Sequence, residues 1–462
     1  MPPDDQRLLT GWGRTAPSAA TVVALSQAAA EAALKDPPAR GVVARGLGRS
    51  YGDAAQNGGG LVLDGPALAA LRSFDGDSGV VTVQAGVSLD ALLRATVPLG
   101  WFVPVSPGTR FVTVGGAIAA DVHGKNHHVD SSFGRHITAL RLLTPSGERL
   151  CSPEQDADLF WATVGGMGLT GVIVEATVRL IPITTAYMRV DTERASDLDD
   201  LMARMESGDD DYRYSVAWID CVTSGRSLGR AVLTRGDHAD PEDLPARRRN
   251  APLHYDPHIR LGAPPLVPSG LVRPMTARLL NEAWFRKAPR SQRGAIHTIA
   301  AFFHPLDGIR DWNRMYGRRG FLQYQFAVPF ERHDVVRTAI ERLTATKSPS
   351  VLAVVKRFGV GTPGHLSFPI PGWTLALDMP AGRPQLGAVL DELDGLVADA
   401  GGRVYLAKDS RLRPELLAPM YPRLDEWRSV CSAVDPDGVL QSDLDRRLGL
   451  RRPLPQGAVA DA

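Results

Sequence analysis

Only three cysteines occur in the 462 residues, Cys151, Cys221 and Cys431. They are far apart and odd in number, which argues against a disulfide framework and against a paired-cysteine metal site. No run of about 18 apolar residues is present, so no transmembrane helix is expected, and the opening MPPDDQRLLTGWGRT lacks the apolar stretch of a signal peptide. Charge of one sign is also lacking, since 52 Lys and Arg against 51 Asp and Glu leave a net charge of +1. Without a cationic excess to displace counterions, nucleic acid is not expected as a partner, and any membrane contact has to be local. Lysine itself is scarce: Lys35, Lys125, Lys287, Lys347, Lys356 and Lys408 stand in an arginine-rich chain. Arginine keeps its charge, whereas a lysine can shift its pKa and exchange a proton, so each of the six draws interest.

Glycine, by contrast, is plentiful and clustered. The stretch RGLGRSYGDAAQNGGG, Arg45 to Gly60, packs it into one turn. Glycine permits positive φ and lets main-chain N–H groups approach a phosphate, while Arg45 and Arg49 can offset its charge. The stretch reads as a pyrophosphate cradle or as a glycine-rich surface loop, and alone it does not decide between them.

A second glycine turn follows in VSPGTRFVTVGGAIAADVHGKNHHVDSSFG, residues 105 to 134. Gly115, Gly116, Ala117, Ala119 and Ala120 leave room for a flat ligand against backbone, or for tight packing of a helix on a sheet. Hydroxyls of Thr109 and Thr113 can bond phosphate or ribityl oxygens. His123, beside Gly124, is a candidate cofactor contact or catalytic group. His127 and His128 read as surface histidines, and with only Asp121 and Asp130 nearby no metal is expected. Near the C-terminus a strand, Val404 to Ala407, precedes Lys408 and Asp409; a partly desolvated ammonium there suits a flavin carbonyl or a substrate alkoxide. Gln323 and Gln325 share one face of a strand, as do Trp373 and Leu375, and either face would line a pocket or meet water.

The length exceeds what one core of roughly 250–300 residues carries. Residues 40–180 alternate short β-rich runs with helical patterns such as SLDALLRATVPLG, where Ser88 caps. The expected class is α+β, with a different lobe beginning at about residue 183, where the glycine clustering fades and further strand patterns follow. Segment 236–292, rich in Pro and Arg, is expected as long mobile loops with one short helix near LLNEAWFRK.

Together RGLGRSYGD, PGTRFVTVGGAIAADVHGKNHH, FWATVGGMGLTGVI, QYQF, SFPIPGW and YLAKDSR resemble the flavin oxidoreductases of the vanillyl-alcohol oxidase superfamily. More closely they look like the oxidase subunits of the decaprenylphosphoryl-β-D-ribose 2′-epimerases of actinobacterial cell-wall synthesis, and the likeness runs from Gly11 to about Leu448. The resemblance implies a two-lobed fold, with residues 1–182 as an FAD-binding domain, 183–400 as a substrate domain built on an antiparallel sheet and 401–462 returning to the first, and it implies FAD, its pyrophosphate against Gly46, Leu47, Gly48, Arg49 and Ser50. Tyr51, Gly108, Thr113, Gly116, Ala120, His123, Ile173 and Tyr405 would add contacts. It also implies oxidation of the 2′-hydroxyl of a polyprenyl-phosphate ribose to the 2′-keto sugar, with Lys408 orienting substrate and flavin and with His123 and Tyr51 in the catalytic group. Lys125, Trp218, Gln323, Gln325, Lys356, Ala376 and Asp378 would meet the sugar or phosphate. A separate NADH-dependent keto-reductase would complete epimerisation, and the enzyme would sit at the periphery of the plasma membrane, where Leu261, Leu266, Val267 and Leu271 would meet the prenyl tail.

Three positions depart from these patterns. Arg49 stands where many superfamily members tether FAD through a histidine, so the flavin is expected to be held non-covalently. Ala376 replaces a pocket cysteine, and Phe303 a tyrosine. The competing readings are a sugar or alditol oxidase of the same superfamily and a flavin-free binding protein that keeps the fold.

Overall fold

The computed structural model describes residues 5–259, 261–264, 272–346, 348 and 350–452. Its strands fall mainly into three sheets. Apolar runs such as LVLD and VVAR form the small mixed sheet, in which Leu61–Asp64 pairs in parallel with Ser18–Ala24 and with Val42–Arg45. Beside it in sequence lies a five-stranded antiparallel sheet containing Val80–Gln84, Ile137–Thr144 and Val172–Arg179. The helix Leu89–Thr96 is capped by Ser88, whose hydroxyl accepts from Ala91 N, as its sequence requires. This mixture of helices and antiparallel sheets is the α+β class.

The third sheet has eight strands, ordered Ser291–Thr298, Tyr187–Ala195, Ala231–His238, Tyr214–Ile219, Ala353–Phe358, Gly372–Pro380, Phe321–Val328 and Arg403–Val404. Every pairing in it is antiparallel. One side of its central strands carries Trp373, Leu375, Leu377, Phe326 and Val355, buried in one apolar cluster with Val336 and Ile340 of the helix His333–Ala345 and with Leu390 and Leu393 of the helix Leu386–Asp399. Burying that face leaves the opposite one to meet whatever lies across from it.

Several expectations are corrected. The short helix expected near LLNEAWFRK is present but longer, running over the 14 residues Pro274–Lys287, so segment 236–292 is more ordered than long loops. The strand expected over 404–407 ends at Val404; Lys408 N turns back to Tyr405 O at 2.8 Å. Trp373 and Leu375 lie on the helix-covered face, so they build core and not pocket. His127 is 1% exposed and His128 half-buried, so neither is a surface histidine. The strands Tyr187–Ala195 and Ser291–Thr298 were not anticipated; charged residues such as Glu193, Arg194 and Arg293 mask their alternation. Leu266, Val267, Leu271 and Lys347 lie outside the described residues, while Leu261 is exposed.

Candidate active site

The stretch Arg45–Gly60 divides into two parts. Gly46 to Ser50 are accessible, whereas Asn57 is buried and Gly58 N bonds Asp443, so the second half is a structural turn. Gly48 takes φ +64°, a conformation that L side chains avoid. At Gly46 a Cβ would stand 2.4 Å from Thr113 Oγ1, so only glycine lets the loop meet the next segment this closely. Arg45 donates to Thr10 O at 2.7 Å and to Ala55 O at 2.9 Å. It braces the loop from behind, a role different from the phosphate partner expected. Arg49 lies with its guanidinium 3.8 Å above the Trp12 ring, and its buried Nε has no hydrogen-bond partner among the described residues.

Facing this loop is the short helix Val114–Ala119, capped by Thr113. Gly115, Gly116 and Ala119 are half-exposed, while Val114, Ala117 and Ile118 point into the core. The Ala117 side chain packs into the core, which leaves its backbone as the part that would meet a cofactor. The Thr109 hydroxyl donates to Asp307 at 2.7 Å, which engages the proton expected to reach a phosphate. Gly108 is exposed and Ile173 is buried in the neighbouring core. A glycine turn, a strip of small residues and an orphaned buried guanidinium nitrogen together fit a flat anionic dinucleotide such as FAD.

From this cradle the chain runs directly to the polar face of the eight-stranded sheet. Tyr51 N bonds Ala407 O at 2.9 Å, and Lys408 Nζ lies 3.8 Å over the Tyr51 ring. Arg447 bonds both Asp53 and Asp409 at 2.8 Å, locking the 401–412 segment to the loop. On the sheet, Gln325 pairs with Ala376 and Gln323 with Asp378. Lys356 pairs with Thr374, Val354 with Ala376, and Trp218 with Val354. Directly paired residues of antiparallel strands point to the same side, so Trp218, Lys356, Gln323, Gln325, Ala376 and Asp378 share one face. All six had been singled out in the sequence; Thr374 in the same row had not, although the two-residue spacing of WTLALD marks it.

His123 hangs over this row. Its Nε2 is 3.0 Å from Gln325 Nε2 and its Nδ1 3.0 Å from Lys356 Nζ, and the rings of Phe358, Phe368 and Tyr405 surround it. Tyr405 OH donates to Ala120 O at 2.7 Å, which ties the row to the small-residue helix. Lys356 also reaches Gly124 O at 3.4 Å. Burial, then the charge of Lys356, holds the His123 pKa well below the ordinary imidazole value, so the ring is neutral. Burial pushes Lys125, Lys356 and Lys408 each down to about 7, so half of the six lysines of this chain meet at one place. Asp378 is pushed up to about 7 by burial; Gln323 donates to its Oδ1 at 2.5 Å, while Oδ2 has no partner among the described residues. Desolvated titratable groups of both signs beside a cofactor cradle are what proton transfer near neutral pH requires.

Lys125 sits slightly apart, bonded to Phe302 O with its ammonium 4.3 Å over the Phe302 ring. Phe303 is 1% exposed among Phe102, Phe302 and Tyr214, so the tyrosine-to-phenylalanine departure falls in a packed aromatic cluster. The sequence also gave no hint of buried Asp121, which gathers Thr362 Oγ1, Ser367 Oγ and Gly134 N behind the small-residue helix. Among the described residues no group of His, Cys, Asp and Glu could hold a metal ion.

Residues 17–151 match the family model described as an FAD binding domain. Over 457 residues the chain is 46% identical to the decaprenylphosphoryl-β-D-ribose oxidase of Mycolicibacterium smegmatis, covering 97% of this chain and 98% of that protein. A Streptomyces coelicolor protein encoded in the mprA 5′ region is 46% identical over 373 residues, 79% of this chain and all of its own length. The L-gulono-1,4-lactone dehydrogenase of Mycobacterium tuberculosis is 24% identical over 429 residues, 92% of this chain and 93% of its own.

Proposed function

The chain belongs to the decaprenylphosphoryl-β-D-ribose oxidase family of FAD-binding oxidoreductases, and from that membership we propose that it oxidises the 2′-hydroxyl of a polyprenylphosphoryl ribose to the 2′-keto sugar. It is an FAD-dependent oxidoreductase acting on a CH–OH group. The observation that carries the reading is the row of Gln323, Gln325, Lys356 and Asp378 on one sheet face, beneath His123 and beside Lys408. FAD, when bound, supplies the hydride acceptor. Gly46, Leu47, Gly48, Arg49 and Ser50 would cradle its pyrophosphate, and Gly115, Gly116 and Ala119 would lie against it.

The residues of the chain then bind, orient and take a proton. Lys356 and Lys125 answer the negative charge of the substrate phosphate. Gln323 and Gln325, each fixed by a hydrogen bond to a neighbour, present amides to sugar hydroxyls. We assign removal of the hydroxyl proton to the Lys408–Asp378 pair: both titrate near neutral pH, so one of the two can accept a proton while the carbon loses its hydride. His123, neutral and doubly hydrogen-bonded, positions the row. Residues 1–182 with 401–462 would form the FAD lobe and 183–400 the substrate lobe. A polyprenyl tail places the enzyme at a membrane periphery, although no helix among the described residues is long and apolar enough to cross one. The keto product calls for a reductase, NADH-dependent in this reading, to finish epimerisation.

The likeness to an L-gulono-1,4-lactone dehydrogenase keeps a free-sugar or alditol oxidase as the second reading. Anaerobic mixing of the holoenzyme with polyprenylphosphoryl ribose and with simple alditols separates them. The flavin absorbance is expected to bleach with the lipid sugar; bleaching by alditols alone overturns the proposal.

A further inference from the structure

The helix Pro274–Lys287 has its polarity inverted. A surface helix normally turns its apolar stripe inward. Here the inner face carries Ala277 and Asn281, and Asn281 Nδ2 donates to Asp220 Oδ1 at 2.8 Å and to Ser350 O at 3.2 Å. The outward face holds Met275, Leu279, Leu280 and Trp284, exposed by 74%, 66%, 59% and 54%. The exposure does not come from a loose helix. Arg194 donates to Arg286 O and to Ala288 O, each at 2.7 Å, and Arg230 bonds Glu282 at 2.6 Å.

We propose that this helix is the surface by which the protein docks on a bilayer containing anionic lipid, with Met275, Leu279, Leu280 and Trp284 entering the headgroup boundary. Charge complementarity selects the occupant. Arg286 and Lys287 are exposed on the same side, while Glu282, the one acidic residue of the helix, is neutralised by Arg230 and Arg286. An apolar face fringed by cations and closed by a tryptophan matches a lipid interface, where burial and attraction to anionic headgroups add. The face is also continuous with the site already described. The Trp284 ring meets that of Trp218 at 6.5 Å, and Trp218 stands on the sheet face that carries Ala376 and Gln325. A tail leaving the sugar over Ala376 and Val354 reaches Trp218 and then the helix. That route rests on the polyprenyl-phosphate reading; the docking itself does not require substrate.

The test is sedimentation of the full-length holoenzyme with vesicles of phosphatidylcholine, with and without phosphatidylglycerol. Wild type is expected to pellet with the anionic vesicles and to be released by salt. The Leu279→Glu, Leu280→Glu double variant should partition at least about tenfold less. Arg286→Glu with Lys287→Glu should abolish the preference for phosphatidylglycerol. Both variants alter exposed positions, so flavin absorbance and its bleaching by a short-chain phosphoribosyl substrate should match wild type. Equal partitioning of wild type and the leucine variant overturns the proposal. So does a wild-type dimer that the leucine substitutions convert to monomer in light scattering, since the face would then join two copies. Failure of the short-chain substrate to bleach the flavin counts against the proposed reaction and leaves the vesicle result standing.

Discussion

Lys356 Nζ lies 3.0 Å from His123 Nδ1, so the amine and the imidazole share one hydrogen bond. Thr374 donates its hydroxyl to Phe326 O at 2.8 Å, so it can only accept from Gln325 Nε2, 3.2 Å away. The same amide nitrogen then donates its other hydrogen to His123 Nε2 at 3.0 Å. With Nε2 accepting, a neutral ring carries its hydrogen on Nδ1. Lys356 accepts that hydrogen when its amine is uncharged, which a pKa lowered to about 7 allows in the substrate-free site. Four residues on three elements thus fix one tautomer.

Replacing this amine tests the direction of the bond. Lys356→Met should slow flavin reduction by lipid sugar by about 10²-fold, the usual scale for a reacting group left misplaced, because it removes the partner of His123 and a cation for the substrate phosphate. Lys356→Arg should fare no better, because guanidinium has no lone pair to accept the imidazole proton. Stopped-flow bleaching reads both, and recovery with arginine would make Lys356 a simple cation.

A pH dependence follows from the three lysines. Unfolded, each holds its proton up to about 10.5; folded without an anion beside it, each loses it near 7. Between these values the unfolded chain binds more protons, so the stability of the apoprotein should rise with pH from about 7 to 9. Binding of a phosphate-bearing substrate should show the opposite sign: its KM should climb above pH 7 as the amines discharge. Thermal melts of apoprotein and KM measured across pH 6–9 check the two slopes, and a flat KM would remove the lysines from phosphate recognition.

Much of this site could be read in the sequence because its carriers are rare or patterned. A lysine among so many arginines, or a glutamine alternating along an apolar strand, stands out from its surroundings. The two-residue spacing in FLQYQFAV and WTLALDMP shows which residues of each strand share a face, and the antiparallel pairing of the two strands brings Gln325 opposite Ala376. What stayed hidden depends on contacts far apart in the chain. Ala117 and Gly116 are neighbours of one composition, and only the helix rotation sends one inward. The role of Asp121 is invisible in the sequence because its partners Thr362 and Ser367 lie over 240 residues away in the chain. The helix Pro274–Lys287 is legible only in part, as a short helix near LLNEAWFRK, because its Leu-Leu pair faces outward and its periodicity does not mark a core.

Asp121 should matter for folding more than for chemistry. It is fully buried and accepts from Thr362 Oγ1 at 2.7 Å, Ser367 Oγ at 2.5 Å and Gly134 N at 3.0 Å. Asp121→Ala strands three donors, of which Ser367 and Gly134 are buried, and at about 1 kcal/mol each this costs roughly 3 kcal/mol. Urea unfolding should show the loss, with Asp121→Asn losing less because its carbonyl still accepts. Equal losses would mean the carboxylate charge, not its geometry, holds the segment.

Arg49 makes a prediction about the cofactor. A guanidinium forms no bond to the flavin ring, and the arginine stands where a tethering histidine would. Acid or heat precipitation of the holoenzyme should leave a colourless pellet and all the yellow absorbance in the supernatant. Flavin retained by the denatured chain on a gel would place a covalent link elsewhere.

Ala376 allows a gain-of-function test of where the substrate face lies. The three native cysteines are all buried, and burial raises each thiol well above its usual pKa, Cys151 and Cys431 to about 12, so wild type should resist alkylation. Ala376 sits opposite Gln325, beside the amides and lysines of the row. Ala376 is itself buried but faces the lysine of the row, which favours a thiolate, so Ala376→Cys should fold, retain flavin and react with a maleimide, adding one label by mass spectrometry. Substrate should protect it, since the sugar would cover Gln325 and Ala376 together. Labelling that substrate leaves unchanged would move the sugar off this face, and with it the roles given to Gln323, Lys356 and Asp378.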